Sequence, residues 1–178
     1  MKRWLMTGVV TEMTLLVWLL AAVPASAGSA LKAGARPADG SAASKSIRAE
    51  STQSIPTSFQ EITAAFTATP TSGSLGDAVE ASRATFSAAE AIEFDAVLFE
   101  SGLGGTTANL QLYLVTQDGR IVPPTFVFNG GLAPADRTGF FIQLTPGSLV
   151  SGRLRWVMVI SDAFGNDFAT PFQALNIQ

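Results

Sequence analysis

The chain contains no cysteine, no histidine and a single tyrosine. Without cysteine there is no disulfide staple and no lipid attachment at a leader's cleavage site, so the folded part must stand on its apolar core. Without histidine the Ser-His-Asp and Cys-His arrangements are excluded, as are imidazole metal ligands and the usual proton carrier near neutral pH. A zinc site would have to be built from carboxylates alone. Basic charge is in short supply too. The 11 Lys and Arg are outnumbered by 14 Asp and Glu, a net charge of −3 that argues against nucleic acid as a partner. No cofactor is implied.

Long apolar runs are scarce beyond the first residues. Lys2 and Arg3 precede an apolar run from Met13 to Val23, and Pro24-Ala25-Ser26-Ala27 supplies a break and a small-x-small site. That order is the signature of a secretory signal peptide over residues 1–27, cleaved after Ala27. Glu12 splits the longer apolar stretch and leaves it short of the ~20 residues that span a bilayer. The leader also inflates the hydrophobic fraction of 47%. No later run is long enough to insert in a membrane after cleavage. The expected location is therefore secreted, periplasmic or cell-surface.

Residues 28–57 are rich in Gly, Ala, Ser, Lys, Thr and Pro, with Leu31, Ile47 and Ile55 as the large apolar side chains. Such a segment buries too little apolar surface to offset the entropy of ordering, and it is expected to be a disordered linker. The remaining span, 58–178, is the candidate domain.

From residue 60 onward the apolar period is two. Ile62, Ala64, Phe66 and Ala68 alternate with more polar neighbours, although Ser58-Phe59-Gln60-Glu61 also fits a helix capping box. Further strands are expected over Arg83–Phe86, Ile92–Glu100, Leu110–Val115, Ile121–Phe128, Phe140–Leu144, Leu154–Ile160 and Phe168–Ile177. Gln117-Asp118-Gly119-Arg120 is a hairpin turn, since Asp-Gly takes positive φ readily. Pro123-Pro124 cannot donate to a ladder, which marks its strand as an edge. About eight short strands at ~8–12-residue spacing, with no convincing helical segment between them, predict an all-β fold: a two-sheet antiparallel β-sandwich.

Several pieces sit in an order found elsewhere. Phe140-Phe141-Ile142-Gln143-Leu144 leads to Pro146-Gly147, then to Leu154-Arg155-Trp156-Val157-Met158-Val159. Asp162-Ala163-Phe164-Gly165-Asn166 and Phe172-Gln173-Ala174-Leu175 follow. This resembles bacterial immunoglobulin-like and fibronectin type III-like secreted domains. The chain departs from the antibody type, having no cysteine pair and carrying its Trp on a late strand. The resemblance implies a role in binding, spacing or adhesion and carries no catalytic residues.

Candidate binding residues are few. Tyr113, flanked by Gln111 and Val115, is the best candidate for an exposed aromatic, whereas Trp156 shares a face with Leu154, Met158 and Ile160 and is expected to be buried. Phe164 sits in a turn; an exposed turn aromatic can anchor a partner, but general burial preference favours its folding back as a plug. Asp162, Asn166 and Asp167 offer oxygens within six residues; turn chemistry accounts for them better than calcium, which takes about six to eight oxygens. Glu90, Glu93, Asp95 and Glu100 cluster near one strand. Glu93 and Asp95 share a face, but no cleft-forming insertion accompanies them, so they read as a solvated face rather than a glycosidase pair. The function expected is a non-enzymatic interaction or structural module of the cell envelope or extracellular space. Its partner would be an envelope or extracellular protein or a polysaccharide. The alternative is a carbohydrate-binding module using Tyr113 or loop aromatics.

Overall fold

The computed structural model describes residues 32–37, 43–46, 48–50, 54–56, 60–62, 64–98, 108–132 and 138–178. The expected leader over residues 1–27 with its expected cleavage site, Glu100 and the glycine-rich connector Gly102–Thr107 lie outside the described residues. The strands in chain order are β1 (Lys32–Pro37), β2 (Ala43–Ser46), β3 (Arg48–Glu50), β4 (Gln60–Glu61) and β5 (Ala64–Ala68). After a short helix α1 (Leu75–Glu80) come β6 (Thr85–Phe86), β7 (Ile92–Leu98), β8 (Ala108–Thr116) and β9 (Ile121–Leu132). The chain ends with β10 (Thr138–Leu144), β11 (Gly152–Asp162), β12 (Asp167–Ala169) and β13 (Gln173–Ile177).

They form two sheets without a closed barrel, the all-β sandwich expected. One sheet runs β2-β1-β10-β7-β5; the other runs β3-β9-β8-β11-β12-β4, with β13 joining β11 to β6. Every pairing is antiparallel except two short parallel contacts, β12 with β4 and β13 with β6. The core follows from the period-two pattern. Ile92, Phe94, Phe140 and Ile142 of the first sheet face Leu110, Leu112, Trp156, Met158 and Ile160 of the second. Trp156 is fully buried and stands edge-on to Phe94, centroids 5.3 Å apart at 84°. An aromatic pair in this geometry adds roughly 0.5–1.5 kcal/mol to its area burial.

The largest departure from expectation is in residues 28–57. The sequence gives no apolar reason for order there, yet β1 lies along β10 from Lys32↔Gln143 to Pro37↔Thr138, β2 folds back on β1, and β3 pairs with β9. Two things other than bulk hydrophobicity hold this stretch. Ladder hydrogen bonds satisfy its backbone, and Arg36 is buried among carboxylates that need a cation. Composition alone does not register a single buried charge.

Smaller differences have local causes. The capping box belongs to Ser74 and Asp77, which start α1, whereas Gln60–Glu61 is a strand. The Asp77 carboxylate accepts from the Ser74 N–H at 2.6 Å, and the Ser74 hydroxyl accepts from the Asp77 N–H at 3.3 Å. β9 is not outermost, because β3 covers Thr125–Val127. Its Pro123-Pro124 pair falls where the register with β8 shifts between Leu112 and Leu114, at an irregularity that asks for no ladder donor. The final strand breaks at Thr170–Phe172, so β12 pairs with the far half of β11 and β13 with the near half. The Asp118-Gly119 hairpin is as expected, with Gly119 at φ 89°.

Candidate functional site

Two local structures stand out: a pinned turn at one end of the sandwich, and a buried ionic cluster on the outer face of the first sheet.

The turn joins β11 to β12. Asp162 is buried, and its carboxylate accepts from the Phe164 and Asn166 N–H groups, each at 2.8 Å, and from the Asn166 side-chain amide at 2.7 Å. The Asn166 amide, with backbone N–H groups behind it, holds the Asp162 carboxyl below the usual carboxylate range against a smaller opposing effect of burial. Gly165 supplies the positive φ of 85° that closes the turn. Asp167 is spent separately, accepting from the Ser161 hydroxyl at 2.5 Å. The oxygens of Asp162 and Asp167 are therefore aimed at donors of their own chain rather than converging on one point. The consequence is mechanical: a rigid turn that holds Phe164 78% exposed. Asn166, Asp162 and Asp167 position it, and Phe164 is presented outward.

Tyr113 requires a correction. It is 1% exposed and packs with Val115, Val157, Val159 and Ala169 on the outer face of the second sheet, where Ile55 covers it. Its hydroxyl lies 3.1 Å from the Ser54 carbonyl and 2.5 Å from Gln111 Oε1. Burial, with a smaller contribution from the charge of Asp167, raises its pKa. The half-polar neighbourhood that suggested exposure instead holds the acceptors of a buried phenol: its single O–H is within reach of Gln111 Oε1, the nearer, and of the Ser54 carbonyl.

The acidic cluster needs a second correction. Glu93 and Asp95 are not solvated; both are fully buried, together with Arg36. Arg36 Nη2 lies 2.9 Å from Glu93 Oε1, and Nη1 lies 3.5 Å from Asp95 Oδ1. The Gln143 amide donates to Glu93 Oε2 at 2.5 Å. Arg36 and Gln143 also donate to the Thr71 carbonyl, which brings the 69–74 segment over the cluster, and the Arg36 guanidinium lies 4.7 Å from the Phe141 ring centroid. Burial pushes the Asp95 carboxyl well up, with Glu93 adding to the rise and Arg36 opposing it. Both Asp95 oxygens lack a hydrogen-bond partner among the described residues. Glu90 is separate, half-buried and paired with Arg83 at 2.7 Å. The three described acids thus divide between two environments. Sequence reading missed Arg36 because it stands alone among small residues. The available signal was two acids alternating with Ile92, Phe94 and Ala96 on a strand whose sequence neighbours are otherwise core.

A shallow groove of about 170 Å³ lies beside β5 and β13, lined by Phe66, Thr67, Ser82, Arg83, Gln173 and neighbouring alanines. Its one charged side chain, Arg83, is already paired with Glu90 and lies over the Phe86 ring at 4.3 Å.

Among the described residues, no helix is long and apolar enough to cross a membrane. Neither a protein-family model nor a curated protein sequence matches this chain.

Proposed function

We propose that this chain is an exported interaction module, non-enzymatic, that binds a protein of the cell envelope or extracellular space through the end of the sandwich bearing Phe164. The observation that carries this reading is a large aromatic held out in solvent by a carboxylate-pinned turn. A rigid, pre-positioned aromatic loses little entropy on docking, and aromatics of this kind anchor protein interfaces. By strand register, the termini Pro37, Leu98, Ala108, Leu132 and Thr138 fall at the same end as Asp162, so several connections leave the sheets there. Connections grouped at one end of a rigid sandwich are where binding residues gather. The immunoglobulin-like resemblance fits the same reading.

The test compares the mature chain with Phe164→Ser and Val150→Ser. Val150, 70% exposed, lies in the β10–β11 connection at the opposite end. Each is immobilised and challenged with a detergent-solubilised fraction of the native envelope. Saturable capture of one protein, lost in Phe164→Ser and kept in Val150→Ser, is the expected result. Equal capture by all three chains removes Phe164 from the reading. Retention on purified envelope polysaccharide instead would replace the protein partner with the carbohydrate-binding alternative.

A further inference from the structure

Residues 69–81 leave the first sheet at the end of β5 and come back to the point they left. Ala68 bridges Ser82, the Thr69 N–H donates to the Ala81 carbonyl at 3.4 Å, and the Arg83 N–H donates to the Thr67 carbonyl at 2.8 Å. These contacts close the excursion at a narrow neck, as in other compact surface loops whose ends meet. Between its ends the loop satisfies itself, through the Ser74–Asp77 capping box and the bonds of α1. It contributes no strand to either sheet, so it can lift without breaking a ladder.

The contacts that hold the loop down on the outer face of the first sheet are few. The Thr71 carbonyl accepts from Arg36 Nη2 at 3.3 Å and from Gln143 Nε2 at 3.4 Å, both longer than the usual ~2.7–3.2 Å. Leu75 packs on Gly139, where a Cβ would stand 2.9 Å from the Leu75 Cδ1 atom. Ala78 is the one fully buried residue between 69 and 81. A segment that buries so little apolar surface opens at a low free-energy cost.

What the loop covers is costly to keep from water. Glu93 and Asp95 are two buried acids facing one buried cation, Arg36. With both acids ionised the cluster carries one uncompensated negative charge; with one proton between them it is neutral. Glu93 takes the Gln143 amide and the nearer guanidinium nitrogen, whereas both Asp95 oxygens lack a donor among the described residues. Asp95 is thus the carboxyl with a proton as its remaining partner, and burial, with the Glu93 charge behind it, pushes it up against the pull of Arg36. Other charges nearby are few among the described residues. β1 adds Lys32, which is exposed; β5 and β10 face the pair with Phe66, Ala68, Phe141 and Gln143, none of which titrates. Arg83 at the neck is paired with Glu90. The loop itself carries Asp77 and Glu80 and no basic residue. Ionising the second acid therefore puts net negative charge under a loop of the same sign.

We propose that residues 69–81 are a pH-operated lid, closed over Arg36, Glu93 and Asp95 while the two acids hold one proton between them, and swinging out about the Ala68–Ser82 neck when that proton leaves. Opening lets water reach the carboxylates while the sandwich stays folded. The direction is fixed by the charge count: the lid is shut on the acid side and lifts as pH rises through the ionisation of Asp95.

The chain has no native cysteine, so Ala78→Cys places a single thiol on the buried side of the lid. Its alkylation by iodoacetamide is followed across pH in the mature chain, with and without Asp95→Asn. Thiolate formation is common to both, so the ratio of the two rates reports the lid. The ratio should climb at least tenfold as pH rises; a ratio that stays flat overturns the proposal. The second measurement uses the unmodified mature chain, with carboxyl ¹³C titration and amide exchange read on one sample by NMR. A helix as short as α1 does not persist once lifted off its support. The Ala78 and Ala81 amides, bonded to the Ser74 and Asp77 carbonyls, should therefore lose protection at the midpoint of the Asp95 titration, after correction for intrinsic base catalysis. The Met158 amide in β11 should stay protected. Asp95 titrating under a lid that keeps its protection overturns the proposal. So does loss of protection in α1 and β11 together, or an Asp95 already ionised wherever the chain is folded.

Discussion

The decisive perturbation is Arg36→Met, because it separates a strand that completes the fold from a solvated tether. Methionine keeps most of the side-chain volume and removes the only cation near Glu93 and Asp95 among the described residues. Both carboxylates are buried, so truncating their partner leaves charge without compensation, at a cost of about 3–5 kcal/mol. Burial already pushes Asp95 well up, which places the expected loss near the lower end. The lost hydrogen bond to the Thr71 carbonyl adds about 1 kcal/mol. The sum is a large fraction of the ~5–15 kcal/mol stability of a typical domain. With a urea slope near ~2 kcal/mol/M the midpoint should fall by roughly 2 M. Trp156, buried in the core, reports unfolding by fluorescence. Adding Glu93→Gln to Arg36→Met should recover more than ~1 kcal/mol, since contacting residues couple by about that amount or more. A loss within ~0.5 kcal/mol, as for a change on a free surface, would refute the reasoning.

Three other outcomes follow from the same structure. Phe94→Ala removes the ring against which Trp156 stands and should destabilise by about 3–5 kcal/mol in a thermal or urea melt, with a shift in Trp156 emission. Asp162→Ala should leave the sandwich folded but speed hydrogen exchange at the Phe164 and Asn166 amides; because the Asp162 carboxyl is held low, its stabilisation is complete above the ordinary carboxylate range and is lost as pH falls through the lowered value. Asp95 has the opposite sign: its raised pKa favours the folded state below about pH 4 and costs stability as pH rises through the raised value, so Asp95→Asn should flatten the fall of stability as pH rises above the ordinary carboxylate range in melts across pH.

The sandwich was legible because its strands alternate strongly. Leu110, Leu112 and Leu114, and Leu154, Trp156, Met158 and Ile160, face inward as their spacing requires. The Asp162–Asn166 turn was legible for a similar reason, since Asp, Gly and Asn at those positions carry their own backbone chemistry. What escaped were features in which a residue's meaning depends on a distant partner. Tyr113 is satisfied by Ser54 and Gln111, the first of them 59 residues away in sequence. Arg36 is meaningful only once β1 lies beside β10 and β10 beside β7, a relation that no window of sequence contains. Strands of alanine, glycine and one arginine carry almost no periodic signal, although as edge partners they need only a ladder and one correct contact.

That contact also bears on register. A weakly apolar strand can slip by two residues without changing which of its side chains face the core, so hydrophobic pattern alone leaves β1 poorly specified. A slip of two positions would bring Gly34 or Ala38, not a guanidinium, to the place beside Glu93 and Asp95, and would leave the pair buried without its cation. The same energetic asymmetry that makes a buried ion pair a weak source of net stability makes it a strong penalty on every alternative alignment. Arg36 therefore acts less as glue than as a pin that admits one alignment of β1 on β10, and the cost falls on the misaligned states. On this argument, replacing Arg36, Glu93 and Asp95 together by apolar residues of similar volume should preserve much of the stability while loosening the register, which hydrogen exchange along β1 would detect as lost protection at Lys32–Pro37.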